Sequence, residues 1–139
     1  MELSVSVDIA APPERVWAIM SDVERWHEWT ASITSIQLLD TGPLAVGSKA
    51  RVRQPQLLPA VWTVTAIEAN RHFSWTTGGP GVLVTGRHSA EGIDGGTRAT
   101  LSLRYEGLLG GLVGWLTRGL TDRYLNLEAA GLKRRSDST

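Results

Sequence analysis

The stretch Val7-Asp-Ile-Ala-Ala-Pro-Pro-Glu-Arg-Val-Trp-Ala-Ile-Met-Ser-Asp-Val-Glu-Arg-Trp-His-Glu-Trp29 decides the fold, because the hydrophobic period changes inside it. Leu3, Val5, Val7 and Ile9 alternate with Glu2, Ser4, Ser6 and Asp8, the two-residue period of a strand with one wet and one buried face. Pro12 and Pro13 stop that strand. Proline is tolerated in the first turn of a helix, where its missing N–H has no partner, and Val16, Trp17 and Met20 then recur at helical spacing. Ser21 and Asp22 offer oxygens to cap a second short helix carrying Val23 and Trp26. The expectation is one strand followed by two short helices.

Working outward, most of the chain reads as amphipathic strands. Ile33, Ile36 and Leu38 mark a strand of uncertain facing. Ala50 and Val52 alternate with Lys49, Arg51 and Arg53, whose cations belong outside. Val61 to Ile67 is apolar on both phases, so it is either buried on both faces or bulged, with Trp62 and Val64 as the inward pair. Phe73 and Trp75 alternate in the next strand, and Val82, Val84, Gly86, His88 and Ala90 share the inward face of the one after it. Asp94-Gly95-Gly96 is a hairpin turn, so the last strand, with Ala99, Leu101, Leu103 and Tyr105 inward, runs antiparallel to its predecessor. A sheet with one apolar face needs cover. The remaining long helical pattern runs from about Gly111 to Arg134 and carries Leu112, Leu116, Leu120, Tyr124 and Leu127 as its expected inward stripe. Gly114 and Gly119 in that helix want a reason, such as close backbone approach or a loosened segment beside an opening.

The order of these pieces resembles the superfamily of START domains, the birch-pollen-allergen fold and the polyketide cyclase/dehydrase group. The resemblance rests on the first strand, Ala11-Pro-Pro-Glu-Arg-Val-Trp17, Asp22 and the later Trp. It continues with Gly47 before a strand, Trp75 before a glycine turn, Gly95-Gly96-Thr97, Gly107 before the terminal helix, and Glu128 to Leu132 near its end. It covers nearly the whole chain. It implies an α+β helix-grip fold: a curved antiparallel sheet of about seven strands around a long C-terminal helix, enclosing a cavity. Residues 1–135 would form the single domain and 136–139 a short flexible tail.

Composition narrows the function. The 139 residues suit one domain, and 14 basic against 14 acidic side chains give no footprint for nucleic acid. There is no cysteine, hence no disulfide or thiolate chemistry. No charged-then-apolar leader is seen, so a cytoplasmic protein is expected. The apolar run from Leu108 to Leu120 is too short to span a bilayer and contains Arg118. His27, His72 and His88 lie in separate segments without metal-ligand spacing, so neither a metal nor another cofactor is expected.

Six of the nine aromatic residues are tryptophan, suited either to core filling or to lining an apolar cavity. Trp62, Val64, Trp75, Val84, Gly86, His88, Leu101, Leu103, Tyr105, Leu116, Leu120 and Tyr124 are the expected ligand-binding residues. His88, Tyr105 and Tyr124 are the candidates for acid–base work, with a satisfied core histidine as the plainer role for His88. The resemblance to polyketide cyclases implies an aromatase-type catalytic arginine with a serine or tyrosine, and no arginine falls on the expected inner face, so binding of a small aromatic, polyketide, lipid or isoprenoid-like molecule is favoured. The alternatives are a polyketide cyclase, aromatase or dehydratase using the same cavity, and an interaction module with a collapsed cavity. The proline-bounded loop Gln54 to Ala60 presents Leu57 and Leu58, expected at the cavity mouth and as a transient membrane or protein contact.

Overall fold

The computed structural model describes residues 1–137. Strand β1 (Glu2–Ile9) leads into helix α1 (Pro13–Ser21) and a 3₁₀ segment (Val23–Glu28). Six strands follow: β2 (Ser35–Leu38), β3 (Lys49–Arg53), β4 (Ala60–Glu68), β5 (His72–Gly79), β6 (Val82–Ile93) and β7 (Gly96–Glu106). Helix α2 (Gly110–Asp137) closes the chain. The strands form one antiparallel sheet in the order β1-β7-β6-β5-β4-β3-β2, so β1 and β2, separated by the two short helices, lie at opposite edges. This is the curved sheet and long C-terminal helix of a helix-grip fold.

The two-residue period maps onto the sheet as expected. Val64, Phe73, Trp75, His88, Ala99 and Leu101 are buried on one face. Of the two explanations for the apolar phases of β4, the bulge is the one present: the register with β5 shifts between Val64 and Ala66. The Asp94-Gly95 turn joins β6 to β7, and of its two residues only Gly95, at φ 82°, takes positive φ. Beside it, the buried Thr97 hydroxyl donates to the Ala11 carbonyl at 2.7 Å, fixing the corner where β1 ends against β7. Neither Ser21 nor Asp22 caps the 3₁₀ segment with its side chain; the Ser21 hydroxyl turns back to donate to the Trp17 carbonyl.

The largest departure from expectation is the face that α2 buries. Tyr124, Leu125, Glu128, Ala129, Leu132 and Ser136 are buried, whereas Leu112 and Leu116 are 55% and 66% exposed. The expected stripe advanced mostly in steps of four, and at 3.6 residues per turn the twelve residues from Leu112 to Tyr124 accumulate about a third of a turn. The inward positions of the first half are instead Gly110, Gly114 and Thr121, small or polar residues that a search for apolar periodicity passes over. Gly114 lies against Tyr105, where a Cβ would come within 3.1 Å of the ring, while Gly119 faces open space.

The helix also runs further than expected. The proposed tail from residue 136 begins inside it: Ser136 is buried, its carbonyl accepts from Arg15 Nε at 2.6 Å, and the Asp137 carboxylate accepts from the Ala10 N–H. Ser138 and Thr139, the rest of that tail, lie outside the described residues. The 3₁₀ segment grips the same end. Arg135 pairs with Glu28 at 2.6 Å, Arg134 donates to the Trp29 carbonyl, and Gly131 packs so closely that a Cβ there would sit 2.0 Å from that carbonyl oxygen. No helix among the described residues is long and apolar enough to cross a membrane.

This packing predicts that Leu132→Ala costs ~2–5 kcal/mol and Phe73→Ala ~3–5 kcal/mol. Leu116→Ala should stay within about 0.5 kcal/mol of the parent. Urea denaturation of the three variants measures it; a loss at Leu116 matching that at Leu132 would mean that α2 turns its other face to the sheet.

Candidate functional site

Because only the second half of α2 seats on the sheet, the first half roofs a gap. Two joined lobes occupy it. The outer lobe, about 260 Å³, lies under α2 between the Leu57-Leu58 loop and the β6–β7 strands, with Ala60, Val84, Leu103, Tyr105, Val113 and Leu120 among its walls. The inner lobe, about 50 Å³, reaches toward Trp26, Trp75, Gly86, His88 and Ser102. Gln54, Trp62, Leu103, Leu125 and Glu128 line both and so form the neck. An open cavity of this size removes the premise of the collapsed-cavity alternative.

Nine of the expected ligand-binding residues line one or both lobes: Trp62, Trp75, Val84, Gly86, His88, Leu103, Tyr105, Leu120 and Tyr124. Three do not. Val64 and Leu101 are spent in the core, and Leu116 points to solvent for the helical reason given above. Leu57 and Leu58 border the outer lobe opposite Val113 and Thr117, and Leu58 is 88% exposed.

The polar groups are committed differently than their residue types suggest. The Tyr105 hydroxyl shares a 2.8 Å hydrogen bond with Thr121 and lies 3.4 Å from the Thr117 hydroxyl, whose proton goes to the Val113 carbonyl, so it pins α2 to β7. The Tyr124 hydroxyl donates to the Pro55 carbonyl and ties the helix to the leucine loop. His88 is stacked on Phe73 at 4.4 Å and set edge-on to Trp26 and Trp75, with Nδ1 unpartnered. Burial pushes its pKa down to about 3, partly offset by the Phe73 backbone, so the imidazole is neutral near pH 7. Gly86 is the site of a close approach, but by the protein's own Trp75, whose indole lies 3.2 Å from where a Cβ would be.

Glu128 is the site residue that the sequence reading did not select. It is 8% exposed, lines both lobes, and accepts a 3.2 Å hydrogen bond from the Ser32 hydroxyl, itself paired with Thr30. Burial pushes its carboxyl up to about 7, against a weaker downward pull from Ser32. Its signal lay in phase: Glu128 is seven residues after Thr121 and four before Leu132, on the buried face. Gln54, whose amide donates to the Ser32 carbonyl, and Leu125 are the other neck residues that went unselected. Among the described residues, no three histidine or acidic side chains are grouped to hold a metal ion.

The two buried titratable groups pull stability in opposite directions. Glu128, with its folded pKa raised from 4.5 to about 7, holds a proton that the unfolded chain has released, so its contribution fades as pH rises through that window. His88, lowered from 6.5 to about 3, contributes stability that is lost as pH falls below 6.5. Relative to Glu128→Gln, which shares the His88 titration but lacks that of Glu128, wild-type protein should therefore gain on the order of 1 kcal/mol between pH 8 and pH 6.5. Urea midpoints of both proteins at the two pH values measure this; the same change in both would contradict the assignment.

Comparison with known proteins places the architecture. Among curated proteins no sequence match is found. A Thermus thermophilus protein of solved structure aligns over 98% of this chain and 97% of its own, with a TM-score of 0.76 at 20% identity. A START superfamily protein from Mycobacterium smegmatis does so over 98% and 97%, with a TM-score of 0.74 at 22% identity. The Zhui aromatase/cyclase from Streptomyces sp. R1128 aligns over 97% and 94%, with a TM-score of 0.71 at 16% identity. At these identities the likeness is one of fold. The family described as polyketide cyclase / dehydrase and lipid transport has a model that matches residues 1–136, and the chain belongs to that family.

Proposed function

We propose that the protein binds one small hydrophobic molecule between sheet and helix, with the apolar body in the outer lobe and the polar end at the Glu128 neck, and releases it unchanged. The observation that carries this reading is the shape and lining of the cavity: apolar walls around about 260 Å³, narrowing to a few polar groups. The ligand is of aromatic, polyketide, lipid or isoprenoid type. Trp62, Leu103 and Leu120 would hold its body, while Glu128, Gln54 and His88 would meet its polar end. Tyr105 and Tyr124, whose hydroxyls are already bonded, would contribute ring surface. A transient membrane or protein contact through Leu57 and Leu58 is supported by the exposure of Leu58 at the mouth.

Polyketide cyclisation or dehydration is the second reading, and one observation favours it. A buried carboxyl with its pKa raised to about 7 can both give and take a proton near neutrality. The family description and the fold shared with an aromatase/cyclase support it further. Against it, no arginine among the described residues lines either lobe, and neutral His88 is a weak base.

Native mass spectrometry after incubation with a hydrophobic extract separates the two. Binding alone predicts a one-to-one adduct whose ligand is recovered at unchanged mass. Val84→Phe, which fills the outer lobe, should weaken that adduct by about tenfold or more, equivalent to ~1.4 kcal/mol. Loss of water from the ligand, reduced ~10²–10⁴-fold by Glu128→Gln, would establish the enzyme instead. Absence of any adduct would sink both.

A further inference from the structure

The neck holds one buried carboxyl, and several of the donors near it are occupied within the protein. Ser32 donates to Glu128, Tyr124 to the Pro55 carbonyl, Trp26 Nε1 to the Met20 carbonyl at 3.0 Å, and Thr117 to the Val113 carbonyl. One N–H of Gln54 is taken by the Ser32 carbonyl. What faces the space is the Glu128 carboxyl, whose one hydrogen bond among the described residues comes from Ser32; His88 lines the inner lobe with its ring but keeps Nδ1 buried and unpartnered. No lysine or arginine among the described residues lines either lobe, so Glu128 has no cation there with which to pair. Indole rings stand around it: Trp62 and Trp75 at 5.8 Å centroid separation, and Trp26 at 5.7 Å from Trp75.

From this arrangement we propose that Glu128 is a specificity-determining residue that selects hydrophobic amines, the ligand's ammonium head lying at the neck against the Glu128 carboxylate and the Trp62 and Trp75 faces. The inference rests on the ligand-binding reading above. An ammonium brings donors and a positive charge to a buried carboxylate that has one hydrogen bond and no cation. Charge pairing in a dry site is strong once both desolvation costs are met, and aromatic faces add to it. A ligand ending in carboxylate or phosphate finds the opposite: no cation and a like charge at the neck. Fatty acids and anionic lipid heads are therefore selected against, and a neutral alcohol falls between.

The selection depends on pH, because a cationic head needs Glu128 ionised. Burial holds that carboxyl near 7, so the ionised fraction grows across the neutral range. The other titratable groups around the cavity are His88 from β6, Tyr105 from β7 and Tyr124 on α2 itself; no further acidic or basic side chain among the described residues lines the lobes. Amine binding at pH 7 should displace about half a proton from Glu128, a release that calorimetry in buffers of different ionisation enthalpy detects.

The test uses three probes that share a body and differ in head: 2-naphthylmethylamine, 2-naphthylmethanol and 2-naphthoate, titrated calorimetrically into the full chain at pH 6 and pH 8. The expected order at pH 8 is amine, then alcohol, then carboxylate, with the amine about tenfold tighter at pH 8 than at pH 6. Glu128→Gln, which keeps shape and hydrogen-bonding capacity, should bring the amine to the alcohol's affinity and abolish proton release. The ranking in wild-type protein stands whether or not that variant folds. Carboxylate binding as tight as amine, or amine binding indifferent to pH and to Glu128→Gln, would overturn the selection while leaving a binding cavity. Failure of all three probes to bind would overturn the ligand-binding reading along with it.

Discussion

A seven-stranded antiparallel sheet with one apolar face has to be covered, and here a single helix covers it along only part of its length. From Thr121 to Ser136, α2 sits down on the sheet and is gripped by the short helical segments, through Gly131 on the Trp29 backbone and Arg135 on Glu28. From Gly110 to Leu120 it is held chiefly by β7, with Gly114 against the Tyr105 ring and Thr117 and Thr121 on its hydroxyl. The cavity is the space between those two attachments. Its walls are the same inward side chains that would otherwise have met a closer helix, which is why the lining is apolar without a separate design for it.

One consequence is electrostatic. Glu128 stands about two turns into the seated part of α2, set against the aromatic core and lining the cavity. Two or three donors to its carboxylate, or a paired arginine, would have brought its pKa down; a lone serine hydroxyl does not offset the loss of water. His88 bears the same desolvation with the opposite charge sign, and near neutral pH it does so silently, as a neutral ring stacked on Phe73. Of the two, only the carboxyl can change its charge near pH 7, and it lines both lobes.

Much of the fold was legible because strands announce themselves by alternation. The phases of β1, β6 and β7, the proline break at Pro12-Pro13 and the Asp94-Gly95 turn all have local causes that survive into the structure. The faces of α2 did not, since the first half of the helix turns glycine and threonine inward and leaves Leu112, Trp115 and Leu116 outside, reversing the usual pattern. The same reversal hid Glu128, a charged residue on the buried phase. The tyrosines show a different limit. Their rings fall where the alternation and the helical phase place them, but whether a hydroxyl is open to a ligand or bonded to Thr121 or Pro55 depends on contacts distant in sequence.

The central claim is that the space beneath the raised half of α2 is the binding site. Methyl NMR of the leucine and valine side chains during titration with a hydrophobic probe such as 2-naphthylmethanol tests it most directly. Binding in the cavity predicts shifts at Leu57, Val84, Leu103, Val113 and Leu120 while Leu112 and Leu116, which are exposed and line neither lobe, stay still. Shifts confined to Leu112 and Leu116, with the cavity methyls unmoved, would contradict it.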